Sequence, residues 1–222
     1  MDIKENLSKI KSTLPEGVRL IAVSKFHPAE TVKEAYDAGQ RIFAESRVQE
    51  LAAKQPALPG DIEWHFIGTL QTNKVRHIAP FISMIQSVDS IKLLREINRQ
   101  AENCGRTIRL LIEVHIAGED TKHGFSTGEC RALFAGDVFK QFACIQVCGL
   151  MGMATFTGDT EQIRREFGTL RTLFNEIKSM PFTGHPLFTE LSMGMSDDYR
   201  TAIGEGSTMV RIGTGIFGVR QY

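Results

Sequence analysis

Three features of the sequence predict a single parallel α/β barrel of the (β/α)8, TIM type, with one extra helix at its N-terminus. Apolar runs alternate with helix-period segments along nearly the whole chain. Eight candidate strands can be counted, and the first is continuously apolar rather than alternating. Alternating β and α segments imply a parallel sheet, and a strand covered on both faces reads as an unbroken apolar run. Eight such units favour closure over an open doubly wound sheet. The 222 residues suit one domain, 1–222, near the lower end of the size range for such barrels.

Taken in order, Ile3, Leu7, Ile10 and Leu14 mark one face of an amphipathic first helix. The run Leu20 to Val23 is the first strand. Pro28 opens the next helix, where a missing N–H costs nothing, and Gly39 closes it. Further strands are read at 41–44, 63–67, 84–88, 109–115, 145–151, 190–193 and 209–212. Helices fill the gaps. Ser90 caps one that carries Ile91, Leu94, Ile97 and Ala101. Ser126 and Glu129 form a capping box for another. Asp159 starts a long one with Ile163, Phe167, Leu170, Phe174 and Ile177 on one stripe. A helix is expected to begin near Asp197. No linker or short repeat divides the chain.

Barrel geometry makes a functional statement, because chemistry sits where the C-terminal ends of strands meet. Those positions are Lys25, Glu45, Ser46, Gly68, Asp89, the segment 151–153, Ser196 and the turn 213–215. A lysine leaving an apolar strand there is partly desolvated. Desolvation disfavours the ammonium and favours an amine able to attack an aldehyde. Position alone also fits a lysine whose stem packs on apolar surface or whose head pairs with a carboxylate.

Gly213-Thr-Gly215-Ile-Phe-Gly218 matches GxGxxG literally, yet only four residues follow, so a dinucleotide unit is not completed. A glycine turn after a late barrel strand still lets backbone N–H groups approach a phosphate. Ser192-Met-Gly194-Met-Ser196-Asp-Asp198 follows the seventh strand and would converge on the same anion, with Ser196 beside it. Neither serine sits in a complete G-x-S-x-G elbow, which disfavours a serine hydrolase. Arg211 lies in the eighth strand. It either pairs with a carboxylate on the outer layer or points inward.

Composition excludes several function classes. Lys plus Arg equals Asp plus Glu at 26 each, so nothing global draws the chain to nucleic acid or to an anionic membrane. No run approaches a membrane span, and MDIKENLSKI lacks the apolar core of a secretory leader. Cys104, Cys130, Cys144 and Cys148 form no CxxC pair and read as reduced thiols of a cytoplasmic protein. His27, His77, His115, His123 and His185 show no metal-ligand spacing, and no metal is expected.

Several segments stand in a specific order: Ala22-Val-Ser-Lys25, the run from His65 to Lys74 (HFIGTLQTNK), Ser87-Val-Asp-Ser90, Lys122-His-Gly124 and Gly149-Leu-Met151. Leu191 to Ser196 with Asp198 and Val210 to Thr214 with Ile216-Phe-Gly218 complete the set. From about Leu20 to Arg220 the ordered set resembles the pyridoxal phosphate homeostasis protein family, which is related to the N-terminal barrel of alanine racemase. The resemblance implies the type III fold of pyridoxal 5′-phosphate (PLP) proteins and a Schiff base between Lys25 and PLP. It also implies phosphate contacts from Ser196 and from the backbone at Gly213 and Thr214, with Arg211 beside the pyridine nitrogen. Ser192 and Ser46 are further cofactor-site candidates. At Ser46 the family usually carries Asn, and Ala44-Glu-Ser46-Arg-Val-Gln-Glu50 departs from it there.

The function so implied is a monomeric PLP carrier and buffer in vitamin B6 homeostasis, with little or no catalysis. Its partners would be PLP, other B6 vitamers and, transiently, apo PLP enzymes. The alternative is a PLP-dependent amino-acid racemase. Racemisation needs two bases, one on each face of the carbanion. Lys25 supplies one, but Tyr36, Tyr199 and Tyr222 fall at no obvious mouth position, and no second domain is expected. A barrel binding another phosphorylated metabolite without a covalent bond would leave Lys25 unexplained.

Overall fold

The computed structural model describes residues 2–118, 123–180 and 187–218. Their eight strands close into one parallel barrel in sequence order, β1 pairing with β8 through Arg19↔Met209 to Ala22↔Ile212. The strands are β1 (Arg19–Val23), β2 (Ile42–Glu45), β3 (Glu63–Phe66) and β4 (Met84–Val88). They continue with β5 (Ile108–Glu113), β6 (Ile145–Met151), β7 (Glu190–Ser192) and β8 (Met209–Ile212). The expected extra helix is α1 (Ile3–Ser12), which lies against α8 (Thr214–Phe217); Asn6 Nδ2 donates to Ile216 O at 3.0 Å.

The crossovers are α2 (Ala29–Asp37), α3 (Val48–Lys54), α4 (Ile91–Asn103), α5 (Thr127–Ala135), α6 (Thr160–Lys178) and α7 (Tyr199–Gly204). Ser90 caps α4, Ser126 and Glu129 form the capping box of α5, and Asp159 caps α6. Pro28 stands one residue ahead of α2, as its cap. The connection after β3 departs from expectation. It is a 3-10 helix, Thr72–His77, with Gln71 as its cap. Val75, Ile78 and Ile82 anchor this short segment in the core, so it covers the barrel without a full α-helix.

Side-chain direction follows the period of two. Leu20 and Ala22 of β1 join the large layer between strands and helices, while Ile21 and Val23 join a smaller cluster with Met84, Leu111, Cys148 and Met209 inside the barrel. In β8 the same alternation puts Val210 and Ile212 outward and Met209 inward, and therefore turns Arg211 inward. Near the strand N-termini, Arg19 pairs with Glu190 at 2.5 Å and Arg109 with Glu63 at 3.2 Å. The four cysteines are free, and no helix among the described residues is long and apolar enough to cross a membrane.

Candidate functional site

A cavity of about 330 Å³ opens at the C-terminal ends of the strands. Val23 and Lys25 line it from β1 and Ile67 from β3. Met151, Met153 and residues 154–157 contribute from β6, Met195 to Asp198 from β7, and Arg211, Gly213 and Thr214 from β8. Five sequence candidates, Lys25, Ser196, Arg211, Gly213 and Thr214, thus share one space. Ser46 and Ser192 are not among its lining residues. The backbone of Ser46 packs under Gly68, where a Cβ would meet Ser46 O at 2.2 Å.

Lys25 stands half-buried in the turn that leaves β1. Phe26, which follows it, has φ 69 and is the only non-glycine among the described residues in the left-handed region. Glu50 Oε2 accepts from Phe26 N–H at 2.8 Å, and Lys54 Nζ donates to Ser24 O at 2.9 Å. Lys54 also pairs with Glu45 Oε1 at 2.7 Å, and the Ser24 hydroxyl donates to the same oxygen at 2.7 Å. Burial pushes the Glu45 carboxyl up, and the Lys54 charge opposes it. Glu45 and Ser24 alternate with Ala44 and Val23, so this cluster lies outside the barrel wall, against α3.

Arg211 is 4% exposed, and hydrogen-bond arithmetic fixes what holds it. A guanidinium only donates. Its Nη1 donates to Ser192 Oγ at 2.6 Å and its Nη2 to Gly152 O at 3.0 Å. The Ser192 proton then goes to Gln86 Oε1 at 2.7 Å. That turns the Gln86 amide nitrogen towards His65 Nδ1 at 2.8 Å, leaving the imidazole proton on Nε2. A charged imidazole would place two donors face to face. Burial, with Arg109 and Arg19 adding to it, holds His65 down at about 3. Burial also pulls Arg211 to about 10, against the opposing pull of Asp198 and Glu113, and it stays charged at neutral pH.

On the β7–β8 side, Ser196 Oγ lies 3.0 Å from Thr214 Oγ1 and 3.4 Å from Gly215 N. The two loops therefore converge, as their sequences suggest. Gly194 makes this approach possible. Its φ is 97, and a Cβ there would sit 2.6 Å from Ala202 Cβ and 2.9 Å from Tyr199 Cα. Asp198 Oδ1 accepts from Met195 N–H at 2.5 Å and closes the loop on itself. Hydroxyls and backbone N–H groups beside an aliphatic amine and a buried guanidinium suit a dianionic ligand that also carries an electrophile. No group of His, Cys, Asp and Glu among the described residues could hold a metal ion.

Comparison with known proteins agrees with this geometry. The family described as alanine racemase, N-terminal domain, matches residues 1–221. A pyridoxal phosphate homeostasis protein of Aquifex aeolicus is 39% identical over 205 residues, which is 92% of this chain and 88% of that protein. The chain belongs to the pyridoxal phosphate homeostasis protein family. Its Escherichia coli K12 member is 35% identical over 100% of this chain and 98% of that protein. PipY of Synechococcus elongatus, solved with PLP bound, superposes with a TM-score of 0.86 at 39% identity, covering 97% of this chain and all of that one. Alanine racemase of Clostridium difficile shares the fold, with a TM-score of 0.80 at 15% identity over 97% of this chain and 56% of that chain.

Sequence reasoning missed several participants. Gln86 carries no signal, since a glutamine in an apolar strand fits no motif. Glu113, at the end of β5, is 5% exposed; burial and then the Asp89 charge push it to about 7, while Arg211 pulls the other way. Its position at a strand end was the available clue. Lys122, His185 and Tyr222 lie outside the described residues.

Proposed function

We propose that the protein is a PLP carrier that holds the cofactor covalently on Lys25 and delivers it to apo PLP enzymes inside the cell. One observation carries this reading: Lys25, the Ser196–Gly213–Thr214 hydroxyl and backbone set, and the Arg211 guanidinium line a single cavity of about 330 Å³. That volume lies within the range of small-ligand sites. Lys25 Nζ condenses with the aldehyde and water leaves. Ser196, Thr214 and the Gly213 backbone take the phosphate, and Arg211 serves the ring nitrogen. When bound, PLP supplies an electron sink, and a guanidinium donating to an unprotonated ring nitrogen weakens that sink. Ser192 acts through Arg211, being committed to it and to Gln86. Ser46 contributes through its backbone. Phosphorylated B6 vitamers fit the same cradle, and the chain works as one domain and as a monomer.

The lining residues favour carriage over racemisation. Tyr36 Oη donates to Asp61, Tyr199 Oη lies 3.1 Å from Thr13 Oγ1, and neither tyrosine lines the cavity. The test uses one preparation in two assays. Borohydride reduction and peptide mapping are expected to place the pyridoxyl group on Lys25. The PLP-loaded protein should reactivate an apo PLP enzyme faster than spontaneous release allows, without converting L-amino acids to D-enantiomers, keto acids or amines. Turnover at about 1 s⁻¹ or faster, the lower end of ordinary enzyme rates, would make it a racemase or related enzyme instead.

A further inference from the structure

We infer that Glu50 and Lys54, which lie outside the cavity, are positioning residues that aim the Lys25 amine; the inference rests on the reading that Lys25 bonds PLP. The two residues grip the chain on either side of Lys25. Lys54 Nζ holds the carbonyl of the preceding residue, Ser24, and Glu50 Oε2 holds the amide of the following one, Phe26. No hydrogen bond of this grip uses the Lys25 side chain.

Two features separate this grip from ordinary packing. Phe26 keeps φ 69, a conformation that non-glycine residues hold only where their surroundings over-determine it. Strain placed one residue from a reacting group points to that group. Secondly, Lys54 ends α3, where a lysine readily reaches water. It is instead 7% exposed, turned inward onto Ser24 O and Glu45, with Glu50 Oε2 at 3.6 Å. Arg47 completes the frame, its guanidinium 4.6 Å from the Phe26 ring centre and 3.6 Å from Glu50 Oε1. The phosphate cradle belongs to β7 and β8, so the aldehyde of a bound cofactor is placed by strands other than β1, the strand that carries the lysine. The lysine turn must meet it there. A small rotation of that turn is carried along a four-carbon stem to Nζ, and misplacement by about 1 Å can cost a hundredfold in rate.

The test separates aiming from general stability. Glu50 sits at the edge of the cluster, with 23% of its side chain exposed, so Glu50→Ala leaves the Lys54–Glu45 pair in place. Glu50→Gln keeps an oxygen for Phe26 N–H. The readouts are the rate of borohydride-trapped PLP on Lys25 and the affinity for pyridoxamine 5′-phosphate, which carries the phosphate but no aldehyde. Glu50→Ala is expected to slow trapping about tenfold or more, by the sensitivity of reaction rate to placement, and Glu50→Gln to restore it. Pyridoxamine phosphate should bind both variants as it binds the wild type. Trapping by Glu50→Ala at the wild-type rate would overturn the inference while leaving the carrier reading intact. So would a parallel loss of trapping and of pyridoxamine phosphate affinity. A wild-type protein whose label falls on another lysine would instead defeat the carrier reading, and this inference with it.

Discussion

Two polar systems flank the mouth of the barrel, and they hold a cation by opposite means. Inside the wall, Arg211 is held by a row of neutral groups, Ser192, Gln86 and His65, each donating to the next. Outside it, Lys54 is held by two carboxylates, Glu45 and Glu50. The inner row fixes a direction while leaving the guanidinium charge available to the cavity. The outer cluster satisfies its lysine locally, leaving that charge little reach into the cavity. A cation meant for a ligand is better held by dipoles, and one meant for the scaffold by ions. The two systems should therefore fail differently.

The largest expected effect is acid sensitivity of the inner row. His65 stays neutral down to about 3, against 6.5 for an ordinary imidazole. Below pH 6.5 the unfolded chain takes a proton that the native site refuses, so the contribution of His65 to stability falls as the pH drops through that window. The full window is worth on the order of 5 kcal/mol, comparable to the whole stability of many domains. His65→Asn keeps an acceptor near the Nδ1 position and should lose this slope in denaturant unfolding followed against pH. An unchanged slope would assign the acid sensitivity elsewhere.

Breaking the outer cluster comes next. Lys54→Met leaves Glu45, fully buried, without its counter-ion. Removing one member of a buried pair typically costs about 3–5 kcal/mol. Denaturant midpoints of Lys54→Met and of the exposed control Lys33→Ala, whose pair with Asp37 lies on the surface, should differ widely. Similar midpoints would mean that Lys54 is solvated in solution.

How far these systems can be read from the sequence differs in the same way. The eight strands follow from period and order, whereas the sequence leaves Arg211 open between an outward ion pair and an inward turn, and the observed alternation along β8 decides it. The convergence of Ser196 with Thr214 follows from two motifs on adjacent strands. The outer cluster does not follow. Glu45 reads as a mouth residue yet lies outside the wall with Lys54; Glu50 and Lys54 read as ordinary residues of a short helix, and nothing local shows that α3 packs its last turn against the β1 exit. Ser192 illustrates the same limit. Its motif marks it as a cofactor contact, whereas its hydroxyl is committed to Gln86 and Arg211. The short connection after β3 does carry a mark, since Pro80, three residues past His77, stops any helix there.

Glu113 should show a slope of the opposite sign to that of His65. Burial keeps its proton on up to about 7, against 4.5 for an ordinary glutamate. The native state thus holds a proton that the unfolded chain has released, and stability falls as pH rises from about 4.5 to about 7, by roughly 3 kcal/mol. Between about 4.5 and 6.5 the two slopes oppose each other, so the wild-type profile should be nearly flat there. Glu113→Gln should expose the rising limb due to His65, and His65→Asn the falling limb due to Glu113. A Glu113→Gln profile that stays flat would place the carboxyl in water.

The smallest effect should come from cutting the inner row in the middle. Ser192→Ala removes the acceptor of Arg211 Nη1 and the donor to Gln86 Oε1, while Arg211 keeps Gly152 O. Losing one hydrogen bond to a charged group costs about 1.5–3 kcal/mol. No bare charge is stranded, since Arg211 still faces Asp198 electrostatically, so the loss should fall below that of Lys54→Met. Gln86→Leu should carry its own penalty, because His65 Nδ1 then loses its donor. If the row works as a unit, Ser192→Ala and Gln86→Leu remove the same link, and their double variant should cost less than the sum. A coupling of about 0.5 kcal/mol or more in a double-mutant cycle is expected for residues sharing one network. Strict additivity would mean that Arg211 is held by Gly152 O alone, and that the neutral row is packing rather than a device for setting its direction.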